Sequence, residues 1–319
     1  MKIFKPEVFQ GKLTADRYFE GWYFKCVDSY GAEAVSIIPG ISMAGEKSHS
    51  FIQFFDRSAG TAFYFRYDRN DFFASENEFD VRIGKNRFSL SGAELDIDAE
   101  GKRIRAELKF EGIHPWPVKL FSPGVMGWYR YVPKMECYHG VLSFNHAISG
   151  TIEVNGIRRD FSGGKGYCEK DWGTSMPAAW IWMQSNHFEE KEASIFLSVA
   201  KIPWMGGWFP GFIAGFYLKG KIYRFATYTG AALKRLEVYP DKVIIAIEGS
   251  GLVLEIEAQR AEGVELPAPV FGEMKVMIKE ALSSSVKLSL KTKAGNKIFE
   301  GSGGNAGLEV VGDTSRLKP

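Results

Sequence analysis

One order of features occurs twice along this 319-residue chain, and it constrains the fold more than any single motif does. A Trp-containing block is followed by an apolar segment, an aromatic hairpin pattern, two alternating strands and a Gly-rich turn. The Trp blocks are Phe19–Lys25 and Ala178–Met183, and the turns are Ser162–Gly164 and Ser302–Gly304. A repeat of roughly 150 residues has the size of a domain and is too long for a solenoid unit. The sequence therefore predicts two domains that arose by internal duplication.

Alternation of apolar and polar residues is the main local pattern. It is clearest in three segments: Ile104–Phe110, Leu252–Glu257 and Val286–Lys291. This period of two is typical of strands with one buried face, and Asn155-Gly156 is typical of a tight hairpin between two strands. Helical patterns are weak and occur at Ala231–Glu237 and Glu273–Ala281. We therefore expect an all-β fold of two tandem antiparallel β-barrels, residues 1–174 and 175–319, each with room for a small apolar ligand.

Charge and cysteine content narrow the function and the location. The formal net charge is +2 and no Arg/Lys-rich run is present, which argues against nucleic-acid binding. Cys26, Cys137 and Cys168 form no close pair, which favours a reducing compartment. Residues Met1–Gly11 lack the apolar region of a signal peptide. The five histidines show no close metal-ligand spacing, so we expect a cytoplasmic protein without a metal or other cofactor.

The segment Ile202–Leu218 is unusually apolar and contains Trp204 and Trp208. It is shorter than a membrane-spanning helix and is interrupted by Gly and Pro. It is either a buried crossover between strands or an exposed lip that rests on a membrane surface, where Trp is favoured. In the second case His114–Arg130 is the candidate for a matching lip in the first domain. Peripheral membrane contact through Ile202–Leu218 therefore stays open.

The candidate site lies in Gly166–Phe188, where charged side chains stand among Trp residues. An unpaired charge in such surroundings is costly. One interpretation is a salt-bridged linker at the surface, in which Lys170 pairs with Glu169 or Asp171. The other is a carboxyl group in an apolar pocket, which would raise its pKa so that it holds a proton near neutral pH.

Even spacing places four more side chains on one wall if their segment is a strand. They are Trp180, Trp182, Gln184 and Asn186. A mostly apolar wall with few polar groups is typical of a ligand cavity. We expect Trp172 and the pair Trp22-Tyr23 to lie close to this wall and to contact the ligand, and we expect Trp22 to be the counterpart of Trp180.

Two blocks carry a family resemblance. Phe-Glu-Gly-Trp-Tyr-Phe-Lys at Phe19–Lys25, together with the segment Tyr167–Phe188, resembles the tocopherol cyclase family. That family is grouped with carotenoid hydratases and related lipocalin-like proteins, which have two tandem β-barrel domains. The similarity extends over nearly the whole chain. Plant members usually carry Asn at the position of Asp171 and have long insertions that this chain lacks, so the resemblance indicates the family rather than the substrate.

The resemblance implies a reaction in which an acid protonates an alkene and a hydroxyl group adds to the tertiary cation. Cyclisation uses the phenol oxygen of the substrate, whereas hydration uses a water. Aromatic rings would stabilise the cation, and a dry cavity would exclude competing water. Glu169 and Asp171 are the first candidates for the proton donor and Glu20 is the second. Each of the three is also a candidate partner for Lys25 or Lys170.

We therefore expect a protein that binds a lipophilic prenyl-type molecule, with acid-driven cyclisation or hydration of an alkene as the reaction. One alternative is a non-enzymatic carrier or sensor of lipids or isoprenoids. A second is a structural or interaction protein whose barrels are filled by their own side chains. The volume of the cavity separates the second alternative from the others, and turnover separates an enzyme from a carrier.

Overall fold

A computed structural model describes all residues from Met1 to Pro319. The fold is all-β, with antiparallel strands and short 3-10 turns, and it divides into two compact units. The first unit contains Met1–Met176 and Leu266–Met277, and the second contains Pro177–Glu265 and Ile278–Pro319. The predicted second domain, 175–319, therefore includes a segment that packs within the first unit. None of the helices has the length and apolarity that a membrane-spanning helix requires.

The first unit contains a 12-stranded sheet and a two-stranded hairpin sheet. Its strands are β1 (Arg17–Val27), β2 (Ala34–Ala44), β3 (His49–Asp56), β4 (Thr61–Tyr67), β5 (Phe72–Ala74), β6 (Val81–Ile83), β7 (Asn86–Ser89), β8 (Gly92–Ala99), β9 (Lys102–Glu111), β10 (Val118–Lys119), β11 (Ser122–Pro123), β12 (Cys137–Val154), β13 (Ile157–Asp160) and β14 (Gly164–Gly173). The order in the large sheet is β4-β3-β2-β1-β14-β12-β9-β8-β7-β6-β5, with β13 paired to β12.

The remaining strands form an 11-stranded sheet. They are β15 (Trp180–Ser185), β16 (His187–Phe188), β17 (Ala193–Trp204), β18 (Gly207–Leu218), β19 (Lys221–Ala226), β20 (Ala232–Val238), β21 (Lys242–Gly249), β22 (Leu252–Gln259), β23 (Val264–Val270), β24 (Glu273–Thr292) and β25 (Lys297–Val311). Their order is β19-β18-β17-β15-β25-β24-β22-β21-β20, with β16 paired to β25 and β23 paired to β24. The 3-10 turns are Lys2–Phe4, Gly45–Lys47, Arg69–Asp71, Gly127–Tyr131, Thr227–Thr229 and Thr314–Leu317.

The two large sheets share one strand order. In the first, β1 lies between β2 and β14; in the second, β15 lies between β17 and β25. Each first strand therefore pairs with the next long strand and with the last strand of its sheet. A shared order is what an internal duplication predicts. The closure of each sheet into a barrel stays a prediction.

Each unit has its own hydrophobic core, and one face of every long strand contributes to it. The first core includes Trp22, Phe24 and Phe54, all fully buried. The second includes Ile181 and Met183, also fully buried. We call the side of a strand that packs on its core the core face, and the opposite side the outer face. Because side chains alternate along a strand, neighbouring residues serve different faces.

A hairpin turn at Gly272 completes the first unit. Gly272 has φ +79°, and its N–H donates to the carbonyl oxygen of Thr174 at 2.7 Å. The Ser42 hydroxyl donates to the carbonyl oxygen of Gly272 at 2.5 Å. A Cβ at this position would lie 2.1 Å from the carbonyl oxygen of Met43. Only glycine therefore fits here, because both the dihedral angle and the close contact exclude a side chain.

Several local predictions meet different outcomes. Asn155 (φ 51°) and Gly156 (φ 85°) form the expected hairpin turn. The two weak helical patterns are wrong, because Ala231–Glu237 and Glu273–Ala281 lie largely in β20 and β24. Pairing with neighbouring strands outweighs the local helical preference there.

The prediction of a second Gly-rich turn is also wrong, because Ser302–Gly304 lies inside β25. The segment Ile202–Leu218 is not a crossover between strands, and its contact with a membrane stays a prediction. It is the tip and one arm of the β17–β18 hairpin, and Met205 at the tip is 93% exposed.

Candidate active site

β14 divides the charged motif between two faces. Its neighbours are β1, where Tyr23 lies opposite Glu169, and β12, where His139 lies opposite Asp171. Cys168 belongs to the hydrophobic core. Alternation therefore places Cys168, Lys170 and Trp172 on the core face and Tyr167, Glu169 and Asp171 on the outer face. The three charges that are adjacent in sequence thus enter two separate environments.

The core face holds a fully buried ion pair. The ammonium group of Lys170 lies 2.5 Å from Glu20 Oε1, and both side chains are 0% exposed. The ammonium also donates to the carbonyl oxygens of Pro6 and Val8, at 2.9 and 2.5 Å. Burial lowers the pKa of Lys170 to about 8, against the opposing effect of Glu20. The ion pair and its hydrogen bonds fasten the N-terminal segment to this unit.

Trp22 and Trp172 lie beside this ammonium group. Lys170 Nζ is 4.7 Å from the ring centroid of Trp22 and 4.9 Å from that of Trp172. Such distances are typical of cation–π contacts. The faces of both indoles are therefore taken up by a cation that belongs to the protein.

Glu20 is held by further donors. Its carboxylate accepts hydrogen bonds from the backbone N–H groups of Gln10 and Gly11, at 2.9 and 3.1 Å, and from the Tyr18 hydroxyl. Burial, followed by the charge of Glu20, raises the pKa of Tyr18 well above its usual value, so the phenol stays a donor. These hydrogen bonds satisfy the oxygens of a carboxylate that is shut off from water.

The outer face brings a histidine between the two remaining carboxylates. His139 Nδ1 lies 2.7 Å from Asp171 Oδ1, and Nε2 lies 3.5 Å from Glu169 Oε2. Burial lowers the pKa of His139, but the carboxylates of Asp171 and Glu169 outweigh burial and raise it to about 10. The imidazole is thus protonated at neutral pH. We call His139, Glu169 and Asp171 the proton trio.

Two neighbours support the trio. The Tyr167 hydroxyl donates to Glu169 Oε2 at 2.5 Å, and burial followed by the charge of Glu169 raises the pKa of this tyrosine well above its usual value. Cys137 Sγ lies 3.7 Å from Asp171 Oδ1, and burial followed by Asp171 raises its pKa, so the thiol stays protonated. Both groups can therefore donate to a carboxylate and cannot take its proton.

The trio is most accessible at Asp171. This side chain is 25% exposed, compared with 13% for His139 and 6% for Glu169. Its opposite neighbour on β1 is Gly21, which has no side chain. A Cβ on Gly21 would meet only ordinary contacts, the nearest being a methyl group of Ile38 at 3.5 Å. Gly21 therefore places no side chain beside the most exposed carboxylate.

The trio also has the donor types of a metal site. One ligand atom from each residue lies within 4.8 Å of the other two. Imidazole and carboxylate donors suit several divalent transition metals. Metal ligation requires a neutral imidazole, however, whereas the two carboxylates favour a protonated His139. A metal ion would therefore have to displace the proton.

In the second unit, β15 follows the predicted alternation. Ile181 and Met183 belong to the core, so Trp180, Trp182 and Gln184 share the outer face and are buried there. Trp180 Nε1 donates to Glu309 Oε2 at 2.6 Å.

Asn186 lies after the end of β15, so the period-two argument does not reach it. Its side chain is buried, and its Oδ1 lies 2.8 Å from Nδ1 of His187.

The sequence-predicted residues thus separate by face. Glu20, Trp22 and Trp172 gather around Lys170 on a core face, whereas Glu169, Asp171 and Tyr23 lie on an outer face. Trp22 and Trp180 are not counterparts, because the first is a core residue and the second lies on an outer face. Sequence analysis missed His139, which becomes a neighbour of Asp171 only through the pairing of β12 with β14.

Comparison with known proteins gives matches in sequence and in structure. A probable chloroplastic tocopherol cyclase of Oryza sativa subsp. japonica is 27% identical over 220 residues, 65% of this chain and 47% of the relative. The chain thus spans about half the length of that curated relative. Kievitone hydratase from Nectria haematococca superposes with a TM-score of 0.52 at 12% identity, covering 96% of this chain and 94% of the other.

The crystal structure of CghA with Sch210972 superposes with a TM-score of 0.59 at 12% identity, covering 93% of this chain and 89% of the other. At these identities the structural matches establish the fold alone. The sequence model of the tocopherol cyclase-like family matches residues 86–312, which is well over half of the chain. The protein belongs to the tocopherol cyclase-like family.

Proposed function

We propose that the protein binds a lipophilic prenyl-type molecule and catalyses acid-driven cyclisation or hydration of an alkene in it. The observation that carries the proposal is the geometry of the proton trio, in which a buried histidine lies between two carboxylates that raise its pKa. Alkene protonation requires an acid at the site, and the two carboxylates hold a proton there on the imidazole between them. The names of the relatives, a tocopherol cyclase and a kievitone hydratase, fit these two reaction types.

Asp171 is the group we propose to contact the substrate. It is the most exposed member of the trio, and its Oδ1 lies 2.7 Å from the protonated Nδ1 of His139. The proton passes from His139 through Asp171 to one alkene carbon, and a tertiary cation forms at the other. A phenol oxygen of the substrate or a water adds to the cation, and its proton returns to the trio. Cyclisation is then an isomerisation and hydration adds one water.

The other residues have supporting roles in this proposal. Glu169, fixed by Tyr167, positions His139 and keeps it protonated. The space beside Gly21 admits the reacting end of the substrate. Tyr23 in the first unit is proposed as an aromatic contact for the ligand. In the second unit, contact of Trp180, Trp182, Gln184 and Asn186 with a ligand stays a prediction.

Glu20, Trp22 and Trp172 receive a different role. Their neighbour Lys170 already supplies the charge partner of Glu20 and the cation for both indoles. We therefore propose that these three residues stabilise the fold rather than contact the ligand, and that Glu20 is not the proton donor.

Location and membrane contact are part of the proposal. Three free cysteines, Cys26, Cys137 and Cys168, support a reducing compartment such as the cytoplasm. The β17–β18 hairpin carries Met205 and Trp208 at its tip, 93% and 46% exposed. These apolar side chains support peripheral membrane contact through Ile202–Leu218.

The experiment compares three variants of the trio with one variant on the core face. Asp171→Asn, Glu169→Gln and His139→Gln should each lower turnover of a prenyl hydroquinone or polyene by roughly 10²–10⁴ while ligand affinity is nearly unchanged. Cys168→Ala, on the core face of the same strand, should leave turnover within a few-fold of the wild type. Circular dichroism and melting curves check that each variant folds.

Two results would change the conclusion. If the wild-type protein binds a panel of prenylated quinols and polyenes but converts none, a carrier or sensor is the better description. If it binds none of them, a structural or interaction protein is the better description. Equal turnover in the wild type and Asp171→Asn would exclude Asp171 as the proton donor.

A further inference from the structure

The first unit exposes an apolar hairpin at its surface. β10 and β11 form a two-stranded sheet, and the turn between them is Leu120-Phe121. Phe121 is 85% exposed and Leu120 is 65% exposed, while Val118 and Tyr131 nearby are 39% and 44% exposed. Single exposed apolar residues are ordinary, but several at one hairpin turn are typical of a contact site. We call these four residues the hairpin patch.

The hairpin patch is held in place. Tyr131 donates its hydroxyl hydrogen to the carbonyl oxygen of Leu120, which joins the turn to the following 3-10 helix. Trp116, just before β10, is 2% exposed and stacks on Phe144 with ring centroids 5.7 Å apart. Val125, just after β11, is 1% exposed. Both ends of the hairpin are thus anchored in the packed interior, so the fold presents Leu120 and Phe121 outward.

Residues 112–135, which carry the patch, have charge of one sign, and Glu111 and Glu136 border them. Residues 112–135 contain no Asp or Glu. Lys119 precedes the turn, Lys134 follows the 3-10 helix, and both are exposed. Apolar side chains flanked by ammonium groups are the composition of segments that enter the headgroup region of anionic bilayers. Three apolar side chains on one hairpin, with Tyr131 beside them, are fewer than a stable protein–protein interface requires, since such an interface involves about 20 residues on each side.

We propose that the hairpin patch docks the protein on an anionic lipid surface, with Leu120 and Phe121 inserted between headgroups and with Lys119 and Lys134 beside lipid phosphates. This surface is distinct from the β17–β18 hairpin tip. It does not depend on the chemistry of the proton trio, so it holds whether or not the protein turns over a substrate.

The test uses the full chain and vesicle flotation. Vesicles of phosphatidylcholine alone are compared with vesicles that also contain phosphatidylglycerol, at low and high salt. We expect wild-type protein to float with the anionic vesicles and to be released in part by salt. Leu120→Ser/Phe121→Ser should weaken this binding by about tenfold or more on both salt conditions. Lys119→Gln/Lys134→Gln should weaken it about tenfold at low salt and little at high salt.

Control variants keep the result interpretable. Ile157→Ser removes an apolar side chain that is 70% exposed on another hairpin of the same unit, and it should leave flotation unchanged. Melting temperatures confirm that every variant folds. The proposal is wrong if the wild type does not float. It is also wrong if Met205→Ser/Trp208→Ser abolishes binding to vesicles while Leu120→Ser/Phe121→Ser retains it. A third contradicting result is that Leu120→Ser/Phe121→Ser converts a dimer to a monomer without changing vesicle binding.

Discussion

His139 carries a positive charge where burial alone would remove it. The charge persists because two carboxylates lie on either side of one imidazole ring. The pKa rises from 6.5 to about 10, so the folded protein holds the proton more tightly than the unfolded chain does. The resulting stabilisation is fully present below about pH 6.5 and is lost as pH rises towards 10.

This linkage can be measured by urea unfolding at pH 6, 8 and 10. We expect the free energy of unfolding of the wild type to fall over this range more steeply than that of His139→Gln, because the variant has no proton to lose at this site. A wild type and a variant with parallel pH dependence would show that His139 titrates normally. Carbon-13 NMR of the imidazole would give the same answer directly.

Gly21 offers a second test at the residue scale. Ala lacks the backbone-entropy penalty of Gly in a strand, and a Cβ here meets only ordinary contacts. Gly21→Ala should therefore melt at the wild-type temperature or slightly higher. If the substrate occupies the space beside Asp171, kcat/KM should fall by roughly ten- to a hundredfold, and further in Gly21→Val. Unchanged kinetics in both variants would show that the substrate approaches Asp171 from elsewhere.

The sequence allowed only part of this site to be predicted. The carboxyl groups of Glu169 and Asp171 were identifiable because charges among Trp residues are unusual. His139 was not, since no local pattern relates it to Asp171 and their contact depends on the register of β12 against β14. The partner of Glu20 was one of two possibilities, Lys25 or Lys170, and the structure selects Lys170 because both face the core.

At the scale of elements, the core face of β14 can be tested for its contribution to stability alone. Lys170→Met leaves Glu20 buried without its cation and should destabilise the protein by about 3 kcal/mol. Replacing both partners, with Glu20→Gln and Lys170→Met together, should cost less than the sum of the single changes, because no charge is left unpaired. Additive losses in chemical denaturation would show that the two groups act independently. Glu169→Gln, one residue away on the other face, should lower turnover and should also cost stability, because it removes one of the two carboxylates that hold the proton on His139.

The turn at Gly272 supplies a second test at this scale. Gly272→Ala would place a Cβ 2.1 Å from the carbonyl oxygen of Met43 at a positive φ. We expect destabilisation by about 2 kcal/mol, since both the angle and the contact must relax. Gly295→Ala is the control, because this residue also has a positive φ but its Cβ would meet nothing within 4 Å. Its loss of stability therefore measures the effect of the dihedral angle alone. Equal melting temperatures for the two variants would rule out a close contact at Gly272.

At the scale of the whole molecule, the chain passes between the two units three times. Leu266–Met277 belongs to the first unit, but it continues directly into strands of the second. Unfolding of the second unit would therefore disturb a segment that packs within the first unit. We expect one thermal transition in which Trp fluorescence and circular dichroism coincide. Gly272→Ala should broaden or split it, and two separate transitions in the wild type would show that the units unfold independently.

Part of the fold could be predicted from the sequence. Period-two alternation indicated the strands, and the repeated motif order anticipated the strand order that the two sheets share. The assignment of Leu266–Met277 to the first unit could not be predicted from the sequence. It depends on a backbone contact at Gly272, which the amino-acid composition does not indicate. The predicted correspondence of Trp22 with Trp180 was wrong for a related reason. Similar residues in two strands do not determine which face of the sheet each residue occupies.

The alternation of β14 also has an evolutionary consequence. A relative that gives up its reaction is free to change Tyr167, Glu169 and Asp171, while Cys168, Lys170 and Trp172 remain under selection for a stable fold. Such a chain would still be recognised as a family member, although it could only bind its ligand. Turnover could be measured in relatives that differ at these two sets of positions, and it would distinguish active enzymes from relatives that have lost the reaction. The shared motif would then indicate common ancestry more reliably than catalytic activity.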